Sequence, residues 1–423
     1  MTCRMAKKIV NVSIGLLYLM PAVVMAQVGS DRQQVPAPND RTHVKTENNI
    51  RVTTAVPSAG ETEEIFGIPL YKQNIQPVWI QIENLGDETL WFLPFGTDEA
   101  YFTPIETSYR RQGRLQILNR ETNVDFYSIS MRLRVDGGGV RSGYIFSRVD
   151  EGTKSYNVDV MSATDHYLMT FFVPVPGLRL DHYEVDIQNL YGAEELVDVD
   201  LAGLIEGLEA LPCCVMDKKA SNYGDPLNIA VVGDIQDVYY AFLRAGWDET
   251  ETVYGGSTWR LIQSSLFGSE NRYSPVSALY VFGRAQDLAL QKARSNIVQR
   301  NHLRLWLTPM RYDGKHVFIG QISRDIGIRL TRKTITTHKI DGNVDETREY
   351  LTEDLAYAQS LAKFGFVHGV GEASYDEPRK NLTGDPYFTD GLRVVLFVSS
   401  EPSDISEIKM LDLGAQARPQ ADD

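Results

Sequence analysis

Lys154-Ser155-Tyr156-Asn157-Val158-Asp159-Val160, followed six residues later by Tyr167-Leu168-Met169-Thr170-Phe171-Phe172-Val173, decides how the first half of the chain folds. Tyr156, Val158 and Val160 alternate with Asn157 and Asp159, the period-two pattern of a strand with one face buried and one in water. Strand-length runs recur at Val78–Ile82, Thr89–Phe92, Arg114–Leu118, Ser128–Val135, Ser142–Phe146 and Tyr183–Ile187. Asn84-Leu85-Gly86-Asp87, Asp136-Gly137-Gly138-Gly139 and Asp150-Glu151-Gly152 supply turns between them. Eight short strands separated in this way predict an antiparallel β-sandwich over 60–191, Ig-like in the loose sense. By fold analogy alone, such sandwiches bind more often than they catalyse.

Outward from the sandwich toward the N-terminus, 27–59 is polar, with Pro36, Pro38 and Pro57 among Asp, Asn, Thr and Arg, and reads as a flexible leader. Before it, 1–26 reads as a signal peptide: Arg4, Lys7 and Lys8 form a basic start, 9–20 is mostly apolar, and Pro21 precedes Val24-Met25-Ala26. Cleavage after Ala26 places the protein in the periplasm or outside the cell; the alternative is an uncleaved membrane anchor. Asn11, Ser13 and Pro21 interrupt the apolar run, which falls short of the ~20 residues that span hydrocarbon and so disfavours the anchor; no later segment approaches that length, so no stable transmembrane segment is expected after cleavage.

Toward the C-terminus, Leu196, Val199, Leu201, Leu204, Ile205, Leu208 and Leu211 lie near helical spacing and predict a linking helix in 192–214, ended by Pro212. From 225 to 399 strands alternate with helices. Strands are predicted at Asn228–Val232, Ala278–Phe282, Leu303–Leu307, His316–Ile322, Ile326–Leu330 and Arg393–Val398. Helices are predicted from Ile235 to Ala245 and from Val344 to about Phe364, the second with Leu351, Leu355, Ala358, Leu361 and Ala362 on one face. This is a mixed α/β (α+β) domain, followed by a flexible acidic tail over 400–423.

Composition narrows the function. Of the 423 residues, 43% are hydrophobic and 10% aromatic, which rules out disorder throughout. The 42 Lys and Arg against 56 Asp and Glu give a net charge of −14. Removing 1–26 takes three cations and no acid, leaving 39 against 56, a net of −17. That balance argues against nucleic acid, whose phosphates need clustered cations, and against anionic membrane surfaces. After cleavage the cysteines are Cys213 and Cys214, side by side, so no disulfide network can staple the fold. A vicinal disulfide, two thiols packed as small hydrophobes and an intermolecular bridge all remain open. No Cys or His at ligand spacing accompanies the pair, so no metal site is expected there.

The second half also carries a resemblance. Asp225-Pro226-Leu227-Asn228, Ala245-Gly246-Trp247, the run from Ser274 to Tyr280 and that from Phe282 to Lys292 occur in order. They are followed by His302-Leu303-Arg304-Leu305-Trp306, Ser323-Arg324-Asp325-Ile326-Gly327-Ile328, and Thr337-His338-Lys339-Ile340-Asp341 with Asp345 and Arg348. Gly384-Asp385-Pro386-Tyr387-Phe388-Thr389-Asp390-Gly391 closes the series. Together these resemble the LssY C-terminal domain family across most of 225–398. The resemblance implies a bacterial, envelope-associated and secretion-associated setting. In that family the domain often follows membrane segments similar to DedA proteins or lipid-phosphate phosphatases; here a β-rich domain precedes it, so phosphatase chemistry does not carry over.

Residue chemistry gives two groups of candidates. Arg284, Asp287 and Gln291 share one face if a helix follows Phe282, and with Lys292 nearby could recognise an anion or sugar; the favoured reading is a structural Arg284–Asp287 ion pair. His302 and Arg304 alternate with Leu303 and Leu305 at the strand that carries Trp306, so they line a cleft or meet water. His338, Asp341, Asp345 and Arg348 could do acid–base work, with an aspartate orienting the imidazole. The favoured reading is plainer: Asn343 or Asp345 caps the following helix, with Glu346 in its first turn. Asp341-Gly342-Asn343-Val344-Asp345 starts like a calcium loop, but Glu346 stands where glycine is required and Thr352 where the bidentate acid belongs. No Gly-x-Ser-x-Gly, His-Glu-x-x-His or three-glycine dinucleotide fingerprint occurs.

The leading expectation is therefore an exported bacterial cell-envelope protein, a binding or accessory module for an envelope ligand or protein, with no cofactor. The alternative is a periplasmic hydrolase acting on a phosphate-, sugar- or lipid-containing envelope substrate. Its catalytic groups would come from His338, Asp341, Asp345 and His302. Arg284, Asp287, Gln291, Lys292, Arg304, Trp306, Asp325 and Arg348 would bind the ligand. Convergence of these groups in one place favours the enzyme; separation of His338 and Arg284 disfavours it.

Overall fold

The structure, a computed structural model, describes residues 34–112, 125–150, 152–177, 186–250, 276–293, 300–329 and 337–415. The signal-peptide reading of 1–26 and the strand expected at Arg114–Leu118 lie outside them, as does most of that at Tyr183–Ile187.

Two four-stranded antiparallel sheets form the N-terminal sandwich. One runs β1 (His43–Glu47), β2 (Ile50–Ala55), β3 (Gln76–Asn84), β6 (Val140–Ser147); the other runs β5 (Arg134–Val135), β4 (Leu90–Leu93), β7 (Gly152–Met161), β8 (His166–Val175). The inward residues of the alternating strands meet in one core: Val78, Ile80 and Ile82 from β3 face Tyr156, Val158 and Val160 from β7 and Met169, Phe171 and Val173 from β8. β3 is buried on its other face too, where Trp79 packs with Phe66, Phe126, Tyr144 and Phe146.

Two segments here differ from the sequence reading. The second half of the expected leader, 27–59, is β1, β2 and the start of the helix Ala59–Phe66. Ile50 and Val52 are core residues, and Asn48 and Asn49 take the left-handed conformation that closes the β1–β2 hairpin. The alternation is only three residues deep and is hidden among polar neighbours. Ser58 then caps the helix through a reciprocal Ser58–Glu61 box. At Ser128–Val135, only Arg134 and Val135 are strand. Met131 and Val135 are buried as expected, but the chain crosses β6 at Gly143, where a Cβ would lie 2.5 Å from the Met131 nitrogen.

The C-terminal domain is built on one large mixed sheet. Its order is β13 (Asp248–Glu249), β16 (Leu288–Ala293), β17 (Arg300–Tyr312), β18 (Lys315–Arg329), β12 (Ile229–Gly233), β23 (Arg393–Val398), β20 (Leu361–Val367), β24 (Lys409–Leu411). β9 (Val197–Val199) adds to β17 and β19 (Thr337–Ile340) to β18. β12–β23 and β20–β24 pair in parallel, and the long β17–β18 hairpin turns at Asp313-Gly314. The helices Ile235–Arg244 and Val344–Tyr357 cover one face through Val238, Phe242, Leu351 and Leu355. The helix Leu201–Ala210 covers part of the other. Beside it lies a small sheet of β11 (Tyr223–Pro226), β10 (Cys214–Met216), β14 (Tyr280–Val281) and β15 (Arg284–Ala285), with the ribbon β21 (Arg379–Lys380) and β22 (Pro386–Tyr387) separate.

Four further expectations are corrected. The linking helix starts at Leu201, capped by Asp200, and Val197–Val199 is strand. The helix from Val344 ends at Tyr357, because Gln359 turns left-handed and Leu361 begins β20. His316–Ile322 and the described part of the second run, Ile326–Arg329, belong to one strand, β18, which β17 pairs as far as Arg324 and β19 pairs beyond it. The expected tail joins the fold as far as 415: β24 pairs with β20, and Leu413 and Ala415 are buried.

Candidate functional site

Strand alternation sets the site. On β17, Leu303, Leu305 and Leu307 point into the helix-covered core, so Arg300, His302, Arg304 and Trp306 share the opposite face. Register extends that face sideways: Gln291 on β16 and Ser323 on β18 flank His302, while Ala289 and Gln321 flank Arg304. Asp325 lies two residues beyond Ser323 on the same face. Gln291, Arg300, His302, Arg304, Gln321, Ser323 and Asp325 are all buried. Toward the small sheet the layer becomes apolar, with fully buried Trp306 packed on Val215, Leu227, Leu279, Val281 and Ile319.

Within the polar layer the groups hold one another. Arg300 Nη1 donates to Gln291 Oε1 at 2.6 Å, and Arg304 Nη1 to Gln321 Oε1 at 3.0 Å. His302 Nε2 lies 2.6 Å from Asp325 Oδ2 and 3.1 Å from Arg300 Nε. One nitrogen cannot both donate to the carboxylate and accept from the guanidinium. The shorter, charge-assisted contact assigns the Nε2 proton to the Asp325 bond and leaves the lone pair on Nδ1. Burial pushes the imidazole down to about 4, outweighing the pull of Asp325, and lowers Arg300 to about 10. His302 is therefore neutral at pH 7. Gln321 Nε2, on a side chain with no exposure, has no hydrogen-bond partner among the described residues. At the margin, Asn381 donates to Asp225 at 3.1 Å. Burial raises the Asp225 carboxyl, while the Arg304 charge lowers it.

The structure thus gathers His302, Arg304, Asp325 and Gln291 from the candidates, with Trp306 on the same face in its apolar part, and adds Arg300, Gln321, Ser323 and Asp225, which sequence reasoning missed. The period-two series 300, 302, 304 was the available signal for Arg300. The others are placed by cross-strand register, which no local pattern encodes.

The remaining candidates lie elsewhere. Leu288–Ala293 is strand, so the helical face proposed for Arg284, Asp287 and Gln291 does not form. Arg284 instead makes two bonds to Asp287, at 2.9 and 3.0 Å, and one to the Leu307 carbonyl at 2.7 Å, closing the end of the small sheet. Lys292 reaches the opposite side, bonding Asp354 and the Ala245 carbonyl, each at 2.6 Å. Fully buried Arg348 grips Asp390 at 2.8 and 3.0 Å and Asp345 at 3.2 Å. Asn343 Oδ1 caps the helix by accepting from the Glu346 amide, and Asp341 accepts from the Asn343 amide. His338 pairs through its backbone with Ile328 on β18, and its side chain lies outside the described residues. Cys213 and Cys214 are joined through their sulfurs at the entry to β10.

Among the described residues no group of three or more His, Cys, Asp or Glu side chains is gathered to hold a metal, and no helix is long and apolar enough to cross a membrane. Residues 209–392 match the family model of the LssY C-terminus, a span that contains the whole polar layer. No curated protein matches the chain.

Proposed function

We propose that this chain, whose residues 209–392 form an LssY C-terminus domain, is an exported bacterial envelope protein that works as a binding or accessory module. Its ligand meets the polar face of β16–β18. The observation that carries this reading is the burial of seven polar or charged side chains on one face of three adjacent strands, where an α/β sheet otherwise packs apolar residues. Burying such groups costs stability unless they are mutually paired, and a paired layer holds donors and acceptors in fixed positions, as recognition requires. The basic, apolar and small-residue series of 1–26 supports export, and the sandwich upstream supports binding by analogy.

A thermal-shift screen of the purified protein with divalent metals, sugars, phosphate esters and envelope phospholipids tests the proposal. One class should raise the melting temperature, and Arg304→Ala and His302→Gln should remove the rise. Arg51→Ala, at a surface pair in the sandwich, should leave it intact. A rise unaffected by Arg304→Ala and His302→Gln would sink the choice of site.

A specific contact favours a second reading, a periplasmic hydrolase. A neutral imidazole fixed by a carboxylate at 2.6 Å has the geometry of an oriented general base. Turnover of a phosphate, glycosyl or lipid ester that disappears in His302→Gln at unchanged melting temperature would establish it.

A further inference from the structure

A crevice of about 300 Å3 opens where the sandwich meets the C-terminal domain, away from the polar face. Thr153 and Pro174 line it from β7 and β8, Ile235 and Tyr239 from the helix Ile235–Arg244, and Leu288 and Phe318 from the large sheet. Leu288 and Phe318 belong to the buried core of the domain, so the crevice reaches a wall of carbon. Its polar atoms gather at one end. Thr153 Oγ1 lies 2.9 Å from the Tyr239 hydroxyl, both hydroxyls lie within hydrogen-bonding reach of Oε1 of the buried Glu249 carboxyl, and Oε2 accepts from the Thr153 amide at 2.7 Å. When the carboxyl is protonated, its proton goes to one of the two hydroxyls. Burial pushes Glu249 up to about 8, so this end carries no charge at neutral pH. An interdomain crevice with apolar walls and one hydrogen-bonding end has the make-up of a small-molecule site.

We propose that the crevice binds an unbranched apolar molecule carrying a single neutral hydrogen-bonding head, of the class of medium-chain alcohols. The head lies against Thr153 and Tyr239 and the chain along Leu288 and Phe318. A carboxylate head is disfavoured, because its charge would be desolvated with no cation at that end among the described lining residues.

Titration calorimetry of the full protein with 1-octanol and with octanoate at pH 7 tests this. Octanol should bind saturably, one per chain, and octanoate at least tenfold more weakly. Ile235→Trp and Pro174→Trp, which fill the mouth from opposite walls, should each abolish octanol binding while leaving the circular dichroism spectrum native. Thr153→Val should weaken octanol while leaving the fold intact. Unsaturable uptake, equal binding of octanoate, or undiminished binding in whichever tryptophan variant folds would overturn the proposal.

Discussion

His302 Nε2 and Asp325 Oδ2 lie 2.6 Å apart on neighbouring strands of the central sheet, both side chains buried, yet the imidazole stays neutral because burial outweighs the carboxylate. In the unfolded chain the ring ionises near its ordinary 6.5; in the folded protein it does so only at about 4. As pH falls from 6.5 toward 4 the unfolded state takes up a proton that the native state refuses, so stability drops across that window and is fully present above it. Urea unfolding of Glu249→Gln, which removes a carboxyl of opposing effect, should show this slope from pH 4 to 6.5, and adding His302→Gln should flatten it. An unchanged slope in the variant would assign the acid sensitivity to other groups.

Glu249 acts in the opposite sense. Its folded carboxyl titrates at about 8 against an ordinary 4.5, so between these values the unfolded chain releases a proton that the native protein keeps, and stability falls as pH rises. From 4.5 to 6.5 the two groups offset each other; from 6.5 to 8 Glu249 acts without that offset. Glu249→Gln should abolish the decline above pH 6.5, read from melting temperature against pH. Because Glu249 joins β13 to Thr153 of the sandwich, retention of the decline would mean that its source lies away from the domain junction.

What could be read from the sequence follows the range of the interactions. His302, Arg304 and Trp306 alternate with leucines, so their common face is visible locally. That Asp325 lands beside His302 depends on a register in which Asn301 meets Arg324, fixed by a hairpin more than ten residues away. The Arg284–Asp287 pair was legible as an i,i+3 ion pair although its element was not: a turn into a strand gives the same reach as a helix. β1, β2 and β24 were illegible because each is short and polar on one side, and only pairing partners distant in sequence make them strands.

Arg348 has no exposed surface, and its guanidinium is shared by Asp345 and Asp390. Arg348→Met should cost about 3 kcal/mol, the low end for breaking a buried ion pair, because both carboxylates keep some contact with water. Arg348→Lys should recover only part of this, since an ammonium cannot hold Asp390 through two parallel bonds. Denaturant midpoints of the two variants measure the difference, and equal stability of the lysine variant and the native protein would show that the bidentate contact contributes nothing.

Gly320 and Gly327 lie on the same strand with opposite surroundings. A Cβ on Gly320 would come within 2.6 Å of Leu305 and 2.9 Å of the Arg304 carbonyl, whereas one on Gly327 meets nothing within 4 Å. Gly320→Ala should destabilise by about 1–3 kcal/mol through overpacking and disturb the neighbouring Arg304–Gln321 bond, and Gly327→Ala should be close to neutral. A Gly320→Ala protein as stable as Gly327→Ala would mean that β17 can shift to make room.

Cys214 is buried, its sulfur 4.0 Å from the Tyr387 hydroxyl, while Cys213 is only partly covered. A bond between them accords with an oxidising, exported setting. Peptide mapping without reduction should find the Cys213-Cys214 peptide lighter by two hydrogens and closed to alkylation until a reductant is added. Two thiols alkylated in the unreduced, denatured chain would exclude the bond. Adjacent residues close the shortest loop a chain can make, so little conformational entropy is removed from the unfolded state. Reduction should therefore lower stability by much less than the roughly 2–4 kcal/mol of an ordinary disulfide. A larger loss would mean that the bond acts on the native packing between the helix Leu201–Ala210 and β10.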